Sequence, residues 1–545
     1  MDRYNGGFTK GSRTSDNNFI IHGLVQRQLY LGKKLIVVHI DFSRACDSVN
    51  RTILLYKLNK AGFKGRVIET LHDLYSKTSF RVKINGKTSE SIQEHIGVNQ
   101  GSITSPFLFK EYLSDLKAYL DTRSGICIGD EILVHELWAD DLYLVADSTS
   151  SSQKQLDNLS NFFAPNQMLV NDIKTKFMVY GSSEKISLTL DGKVLEQVDQ
   201  YKSLGTILNT VKTKKGVMFR YNTDYLNKKA RNATFGIRQK LKFLGKIPPS
   251  QWFHIYESMI EPILTYGSDL WGAFSTCTED INKIYLWFIR LVLSVKTTTS
   301  NKITMGEAGI IPPRIKCHEN VILYFIRLNS MRCTSVVRNV FIELERLHNL
   351  GDNNWYSKVL TLAKHYNIDV LNSKYCDSTK KNIKKITRQL FVQKWMNDLH
   401  NVSENSSLRT YNLFKTDFIC EPYLSNINKT KHLVAFTRFR AGSHTLEIER
   451  GRYSNPRTPV DERLCVKCRE IEDEQHFLIK CSMYRQGRME LFEKTGTLYS
   501  SFQQLPDQEK IIFLMSNTDS KVLSWTGKFI HCSMHLRAAH HLQQN

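Results

Sequence analysis

The feature that most restricts the fold of this sequence is a pair of adjacent carboxylates, Asp140 and Asp141. They stand between two short apolar runs at residues 132–134 and 142–145. Short apolar runs on either side of a two-residue acidic tip predict a β-hairpin. Neighbouring strand residues point to opposite faces, so one carboxylate can face a ligand while the other faces partly away. Because burying two like charges is costly without a cation, the pattern predicts a divalent metal site or, since Asp is common in turns, a plain polar turn.

A third carboxylate, Asp41, favours the metal site. It closes the apolar run at residues 35–41, whose β-branched composition predicts a buried strand. A strand-end acid and a hairpin-tip acid are what a two-metal site needs, with two divalent ions about 3.5–4 Å apart. Oxygen ligands suit Mg²⁺. The sequence therefore predicts two Mg²⁺ ions held by Asp41, Asp140 and Asp141.

Five stretches of the chain together resemble a known family. They are residues 41–50, 97–109, 138–141, 171–176 and 201–205. In order and spacing they resemble the motif blocks of reverse transcriptases from non-LTR (LINE-type, jockey-like) retrotransposons. Any one of them alone would be a weak signal, whereas all five in the family's order are specific.

The resemblance implies an RNA-directed DNA polymerase, in which a primer 3′-oxygen attacks the α-phosphate of a deoxynucleoside triphosphate and pyrophosphate leaves. It implies that Asp41 and Asp140 bridge two Mg²⁺ ions and that Asp141 is a secondary ligand or a support. The nucleotide-binding residues it implies are Phe42, Cys46, Gln100, Gly101 and Lys174. The primer-grip residues it implies are Tyr201, Leu204 and Gly205.

Three positions depart from the family pattern. Cys46 stands where the family has an aromatic residue that blocks the ribose 2′-hydroxyl, Trp138 replaces the usual Tyr or Phe, and Thr9 stands where an Arg is usual. These departures leave open a second interpretation, a catalytically inactive or domesticated nucleic-acid-binding protein derived from a retrotransposon. The resemblance also implies that the chain is a fragment that begins inside the fingers. The endonuclease domain is then expected elsewhere in the parent element.

The formal net charge of +22 predicts a polyanionic partner, nucleic acid first. The alternative is a merely soluble basic protein. The expected partners are an RNA template, a DNA primer and deoxynucleoside triphosphates, with no membrane, since no apolar run approaches the ~20 residues of a membrane span. Eleven scattered cysteines, an odd number, favour a reduced intracellular compartment. The resemblance implies a ribonucleoprotein of the nucleus or cytoplasm.

The expected architecture is α+β, a right-hand polymerase with partial fingers, a ferredoxin-like palm and a helical thumb. A mostly helical C-terminal region with a small zinc-binding module follows. Strands interleaved with helices in the first part of the chain suit such a palm. The predicted divisions are 1–210 fingers and palm, 211–350 basic thumb, 351–430 helical connector, 431–495 Cys/His module and 496–545 helical tail.

Several local elements follow from residue patterns. Phe19, Ile20, Leu24 and Leu29 recur at helical spacing, and the Asn85-Gly86 pair predicts a type I′ hairpin. Helices are predicted near residues 225–243, 249–271, 280–295 and 318–331. The basic residues that crowd the start of the thumb are Lys212, Lys214, Lys215, Arg220, Lys228, Lys229, Arg231, Arg238, Lys240, Lys242 and Lys246. They predict a grip on duplex phosphates or, alternatively, a solvated face.

A second constellation lies near the C-terminus. Cys465, Cys468, His476 and Cys481 have the spacing Cys-x2-Cys-x7-His-x4-Cys, which suits a tetrahedral zinc site of three thiolates and one imidazole. The surrounding residues 438–444 and 474–478 resemble the zinc-bearing C-terminal segment of the same elements. One structural Zn²⁺ is therefore expected, and its binding would supply folding energy to the module. Farther on, His531, His535, His540 and His541 predict a histidine-rich helix rather than a second metal site.

Overall fold

The computed structural model describes residues 4–210, 219–332, 335–401 and 406–544. The chain divides into two compact units, each built from separated segments. The first unit comprises residues 1–222, 267–274 and 320–380, and the second comprises residues 223–266, 275–319 and 381–545. The predicted division into fingers and palm, thumb, connector, Cys/His module and tail follows function and not packing, and it stays a prediction. Lys212, Lys214 and Lys215 lie outside the described residues.

The strands are concentrated in the first part of the chain. They are β1 Leu35–Asp41, β2 Ser79–Phe80, β3 Lys83–Ile84, β4 Lys87–Thr88, β5 Ile92–Gln93, β6 Ile126–Ile128, β7 Glu131–Leu133, β8 His135–Trp138, β9 Asp141–Ala146, β10 Lys176–Tyr180, β11 Thr189–Leu190, β12 Lys193–Val194, β13 Glu196–Gln197, β14 Gln200–Ser203 and β15 Thr206–Asn209.

Helices lie between the strands and make up most of the chain after residue 219. They are α1 Thr14–Tyr30, α2 Arg51–Lys60, α3 Arg66–Ser76, α4 Ser105–Tyr112, α5 Leu116–Tyr119, α6 Thr149–Asn166, α7 Arg220–Lys240, α8 Pro249–Ile255, α9 Glu261–Leu264, α10 Ser268–Trp271, α11 Ser275–Leu293, α12 Asn301–Ala308, α13 Pro313–Asn329, α14 Val336–Asn349, α15 Trp355–His365, α16 Asp377–His400, α17 Tyr411–Phe414, α18 Tyr423–Asn426, α19 Thr430–Arg440, α20 Glu447–Arg450, α21 Arg485–Leu498, α22 Asp507–Ser516 and α23 Ser520–Gln544. None of these helices is both long enough and apolar enough to cross a membrane.

A five-stranded sheet is the centre of the first unit. Its strand order is β13-β10-β1-β9-β8, with β1 antiparallel to both β9 and β10. The pair β10–β13 is parallel. The predicted strand at residues 35–41 is confirmed, and all of it is buried except Asp41, which is half-buried. Strand β1 therefore becomes partly accessible to solvent at its last residue, Asp41.

The two faces of β1 have different roles. Ile36, Val38 and Ile40 belong to a hydrophobic core that also contains apolar side chains of α2, α4 and α6. Because strand side chains alternate, His39 and Asp41 lie on the opposite face of the sheet. The apolar face packs the sheet against these helices, and the opposite face carries the Asp41 carboxylate.

Three short hairpins share one turn chemistry. The predicted hairpin at Asn85-Gly86 is confirmed, since Ile84 pairs with Lys87 and both turn residues have positive φ, 49° and 82°. Asp191-Gly192 joins β11 to β12 in the same way, with φ of 49° and 76°. Leu204-Gly205 joins β14 to β15 with φ of 46° and 82°.

The helix predicted at residues 249–271 is wrong as one continuous element. A π-helical turn, residues 256–260, follows α8, and α9 then ends at Leu264. Pro262 has no amide hydrogen to donate, so the regular ladder cannot pass through it. Gly267 has a φ of +67° and starts the separate helix α10. The other three predicted helices are confirmed as α7, α11 and α13, with ends shifted by a few residues.

Helix α1 differs from the amphipathic segment that its spacing predicts. Phe19, Ile20 and Leu24 are buried as expected, whereas Leu29 is 41% exposed. Polar residues of α1 are buried as well. Asp16, for example, receives hydrogen bonds from both Arg327 Nη atoms, at 2.7 and 2.8 Å. Helix α1 is thus enclosed by the first unit and lies beside the central sheet.

Candidate functional site

The strand register brings the predicted carboxylates together. Asp41, the last residue of β1, pairs with Asp141, the first residue of β9. Asp141 also pairs with Trp138 across the β8–β9 hairpin, so the turn residues are Ala139 and Asp140. The predicted hairpin exists, but residues 132 and 133 pair with β6 instead of forming its first arm. Asp140 is exposed at the tip, while Asp41 and Asp141 are half-buried beside it.

Two N-terminal glycines hold this hairpin. Ala139 has a φ of +57°, and the backbone of Gly7 lies so close that a Cβ there would be 2.2 Å from the Ala139 nitrogen. A Cβ on Gly6 would be 3.0 Å from the Trp138 ring. Gly6 N donates to Leu137 O at 3.0 Å. The Gly6-Gly7 pair therefore lets the N-terminal segment pack against the acidic turn.

The carboxylates repel one another and favour a cation. Burial, Asp140 and Asp41 together raise the pKa of Asp141 to about 6. One counter-charge among the described residues is Lys174, whose Nζ lies 3.3 Å from Asp41 Oδ2. Three carboxylates at one sheet edge supply the hard oxygen ligands that Mg²⁺ prefers. The donor set of this chain thus fits a magnesium site.

A loop behind β1 fixes the backbone of Asp41. Asn171 N donates to Asp41 O at 2.8 Å, and Asp41 N donates to the buried Thr175 Oγ1 at 3.2 Å. Asn171 Oδ1 also accepts from Lys174 N at 3.2 Å. The Lys174 side chain is 64% exposed and reaches out over the carboxylate. The sequence pointed to Lys174 and missed Thr175, because a single Thr has no distinctive pattern.

Two of the predicted nucleotide-binding residues follow β1 directly. Phe42 is buried edge-on against Phe163, with ring centroids 5.7 Å apart. Cys46 is half-buried, and burial followed by Asp140 and Asp47 raises the pKa of its thiol. Its backbone O accepts from Val98 N at 2.9 Å, which connects it to the next predicted block.

The loop at residues 97–104 contains the next two predicted residues. Gln100 Nε2 donates to Asp47 Oδ1 at 3.3 Å. Gly101 has a φ of +91°, and a Cβ there would meet nothing within 4 Å. The positive φ favours glycine at this position, and the approach of a ligand to its backbone stays a prediction. The loop borders a cleft of about 1460 Å³ whose lining includes Asp47, Thr78, Phe80, Asn99 and Gln100.

The predicted primer-grip residues form the β14–β15 hairpin. Tyr201 is in β14, and Leu204 and Gly205 are the two turn residues. Burial, Asp141 and Asp41 raise the pKa of Tyr201 to about 12. The Tyr201 ring centroid lies 4.0 Å from that of His39, which precedes Asp41 by two residues in β1, so the structure brings this hairpin beside the acidic site.

In the second unit, the four predicted zinc ligands form one cluster. Their ligand atoms all lie within 4.8 Å of one another. Cys481 Sγ lies 3.9 Å from Cys465 Sγ and 3.8 Å from Cys468 Sγ. Among the described residues, the buried His476 Nε2 has no hydrogen-bond partner, while its Nδ1 lies 3.1 Å from Glu470 Oε2. An unpartnered imidazole nitrogen among three sulfurs fits a tetrahedral metal ion, with the Glu470 carboxylate orienting the ring. Sequence spacing did not identify Glu470.

Buried ion pairs surround this cluster. Glu474 accepts from Arg409 Nη2 at 2.8 Å and lies 3.0 Å from His444 Nε2. Glu472 accepts from Arg537 Nη2 at 2.6 Å. The Arg537 pair connects the Cys/His module to α23, and the Arg409 pair connects the module to the segment that precedes it in the chain.

The basic residues after position 219 lie on the exposed face of α7 and in the segment that follows it. Leu226, Ala230 and Thr234 are buried, and the exposed basic side chains are Arg220, Lys228, Lys229, Arg231, Arg238, Lys240, Lys242 and Lys246. The Arg231 guanidinium lies 5.1 Å from the ring centroid of Trp287. Cations interleaved with aromatic rings are typical of surfaces that bind nucleic acid, although a solvated face has the same charge.

Comparisons with known proteins concern mainly the first part of the chain. Residues 5–245 match the family described as Reverse transcriptase (RNA-dependent DNA polymerase). The Retrovirus-related Pol polyprotein from type-1 retrotransposable element R2 of Popillia japonica is 23% identical over 326 residues, 56% of this chain and 50% of that protein. The RNA-directed DNA polymerase from mobile element jockey of Drosophila melanogaster is 24% identical over 278 residues, 49% of this chain and 28% of that protein.

The chain therefore spans half or less of the length of these relatives. Among solved structures, telomerase from Candida albicans in complex with a fragment of telomeric RNA aligns with 62% of this chain and 56% of its own. The identity is 12% and the TM-score 0.28, too low to support a statement about the fold.

Proposed function

We propose that residues 5–245, which match the reverse transcriptase family, form a polymerase domain of the kind found in non-LTR retrotransposons, and that the chain adds deoxynucleotides to a DNA primer on an RNA template. The observation that carries the proposal is the register of Asp41 against Asp141, with Asp140 in the adjoining turn. This places three carboxylates at one edge of the sheet inside the matched domain. Two-metal phosphoryl transfer needs such an arrangement.

In the proposed reaction, Asp41 and Asp140 would hold two Mg²⁺ ions, and Asp141 would be a secondary ligand or a support. The bound ions would neutralise charge on the attacking and leaving oxygens. The protein contributes mainly position and charge, with little covalent chemistry. Lys174, already beside Asp41, supplies a cation to the phosphates or a proton to the leaving pyrophosphate.

The nucleotide is placed by the residues around the carboxylates. The peptide at Phe42 supports the triphosphate, and Cys46 faces the sugar. Gln100 and Gly101 approach the base and backbone from the edge of the cleft, which we assign to the template. Tyr201 and the Leu204-Gly205 turn hold the primer strand next to Asp41.

On this proposal the central sheet is the palm, the elements before and around the cleft are partial fingers, and the basic helices from α7 onward form the thumb. The exposed cations of α7 would then contact duplex phosphates, so binding would weaken as salt rises. Cys465, Cys468, His476 and Cys481 would hold one structural Zn²⁺.

Template-directed extension tests this function. The purified full chain is incubated with a DNA primer on an RNA template, Mg²⁺ and one deoxynucleoside triphosphate at a time. The proposal expects addition only of the nucleotide complementary to the template base. Addition that ignores the template would contradict it.

An inactive nucleic-acid-binding protein is the second candidate. Thr9 favours it, since Thr9 Oγ1 accepts from Lys110 Nζ at 2.6 Å where the family usually has an Arg. Tight, salt-sensitive binding of the primer–template without extension would support this candidate over the polymerase.

A further inference from the structure

His39 lies directly behind the carboxylates on the same face of the sheet. It precedes Asp41 by two residues in β1, and neighbouring positions of that strand belong to the core on the other face. In the register, His39 pairs with Tyr143, and Asp41 pairs with Asp141. The sheet therefore presents a pair of rings immediately next to the pair of acids.

The ring of Tyr201 lies on this pair. Its centroid is 4.0 Å from that of His39, with an interplanar angle of 18°, which is a parallel stack. Tyr143 meets the same imidazole edge-on, at 5.2 Å and 89°. His39 is thus held between one ring of its own sheet and the ring of the predicted primer grip.

A hydrogen-bond chain fixes the same hairpin a second time. The Tyr143 hydroxyl lies 3.1 Å from Ser203 Oγ. Ser203 Oγ donates to Asn18 Oδ1 of α1 at 2.5 Å. Strand β14 is therefore attached to the sheet through the Ser203 hydroxyl and through the Tyr201 ring.

The imidazole nitrogens of His39 make no polar contact with the described residues. Both are buried, and neither has a hydrogen-bond partner among the described residues. A buried polar group without partners is unfavourable by itself. What His39 supplies is a flat aromatic surface, and stacked rings gain stability beyond the area that they bury.

We propose that His39 is a positioning residue for the primer terminus. Its ring sets the plane of Tyr201, and Tyr201 in turn places the primer 3′ end against Asp41 and Asp141. This inference rests on the proposed polymerase function. It gives a role to a buried histidine that the metal chemistry itself does not use.

The test compares His39→Leu, which keeps an apolar side chain but has no flat ring, with His39→Phe, which keeps the ring. Primer extension is measured as a function of primer–template concentration and, separately, of nucleotide concentration. Loss of the stack should raise KM for the primer–template roughly 3- to 10-fold in His39→Leu, with KM for the nucleotide unchanged. His39→Phe should recover most of this loss, because the imidazole nitrogens have no partners.

A double variant separates positioning from general damage. His39→Leu added to Tyr201→Leu should change KM for the primer–template no further than Tyr201→Leu alone, because the stack is already gone. Additive effects would overturn the proposal. So would a His39→Phe variant as impaired as His39→Leu, or a His39→Leu variant with the wild-type KM.

A binding measurement keeps this inference separate from the proposed function. Affinity is measured without nucleotide for a recessed primer–template and for a blunt duplex of the same sequence. If the wild-type chain does not extend a primer, the polymerase proposal fails, but His39→Leu should still lose its preference for the recessed end. Equal preference in the wild type and His39→Leu would overturn the positioning role.

Discussion

At the scale of single residues, Asp141 has the clearest electrostatic dependence. In the metal-free protein its pKa is raised to about 6 by burial, Asp140 and Asp41, so it retains a proton below that pH. A proton and Mg²⁺ compete for the same carboxylate. The Mg²⁺ concentration for half-maximal extension should therefore rise as pH falls through about 6 and level off above it.

Extension rates over a range of Mg²⁺ concentrations, taken from about pH 5 to 8, check this prediction. A Mg²⁺ requirement that does not change with pH would show that Asp141 does not bind a proton in competition with the metal.

Cys46 should determine how well the sugar is selected. The thiol is smaller than the aromatic residue that the family resemblance implies there, and it is half-buried in the segment that follows Asp41. Cys46→Phe should fill this space and raise the preference for deoxynucleotides over ribonucleotides by about 10-fold or more. The ratio of kcat/KM for the two nucleotides measures it. Cys127→Phe, at an exposed cysteine of β6, is the control and should leave the ratio unchanged.

Glu470 should strengthen metal binding without touching the metal. It accepts from His476 Nδ1, which leaves Nε2 free for a ligand bond. Glu470→Gln should weaken zinc affinity about 10- to 100-fold in a chelator competition. Glu462→Gln, at an exposed position of the same module, is the matched control. Equal affinities in the two variants would rule out this orienting role.

The sequence identified the carboxylates that stand in recognisable motifs. It could not identify the residues that contact them in the fold. Asp41, Asp140 and Asp141 are brought together as predicted. Thr175 and His39 were not foreseen, because their importance arises from strand register and stacking between distant segments. A lone Thr or buried His has no periodic pattern that spacing arguments can detect.

At the scale of elements, a buried ion pair joins α1 to α13 within the first unit. Asp16 and Arg327 side chains are each only 8% exposed, and Asp16 Oδ2 also accepts from Arg13 N at 2.9 Å. Asp16→Ala should lower the free energy of unfolding by about 3–5 kcal/mol, because it leaves a buried guanidinium without its partner.

Chemical denaturation measures this effect. Asp73→Ala removes a well-exposed partner of Lys77 and should change stability by about 0.5 kcal/mol or less. Adding Arg327→Met to Asp16→Ala should recover much of the loss. If Asp16→Ala were as mild as Asp73→Ala, the loss of Asp16 would not leave a costly unpaired charge at Arg327.

Elements with strong local signals were predictable. The Asn85-Gly86 turn and the strand ending at Asp41 follow from turn chemistry and β-branched composition. The continuous apolar pattern of the interval 249–271 predicts one helix. Pro262 and Gly267 interrupt it for backbone reasons that apolar periodicity does not register.

At the scale of the whole molecule, the assembly of units from separated segments was not predictable. Residues 267–274 and 320–380 belong to the first unit, although the second unit begins at residue 223. Motifs give the order of segments along the chain. Contacts between distant residues, such as the Asp16–Arg327 ion pair, determine which segments pack together, and no local pattern encodes them. The Cys/His cluster was an exception, because its spacing is local and its four ligands are close in sequence.

The most direct test of the central claim is Mg²⁺-dependent extension of a DNA primer on an RNA template by Asp140→Asn and Asp130→Asn side by side. Asp130 is an exposed acid in the turn between β6 and β7, so its variant controls for the loss of one charge. The account predicts that Asp130→Asn extends like the wild type, whereas Asp140→Asn binds the primer–template but does not extend it. Extension by Asp140→Asn at the wild-type rate would contradict the assignment of the acidic turn as the polymerase centre.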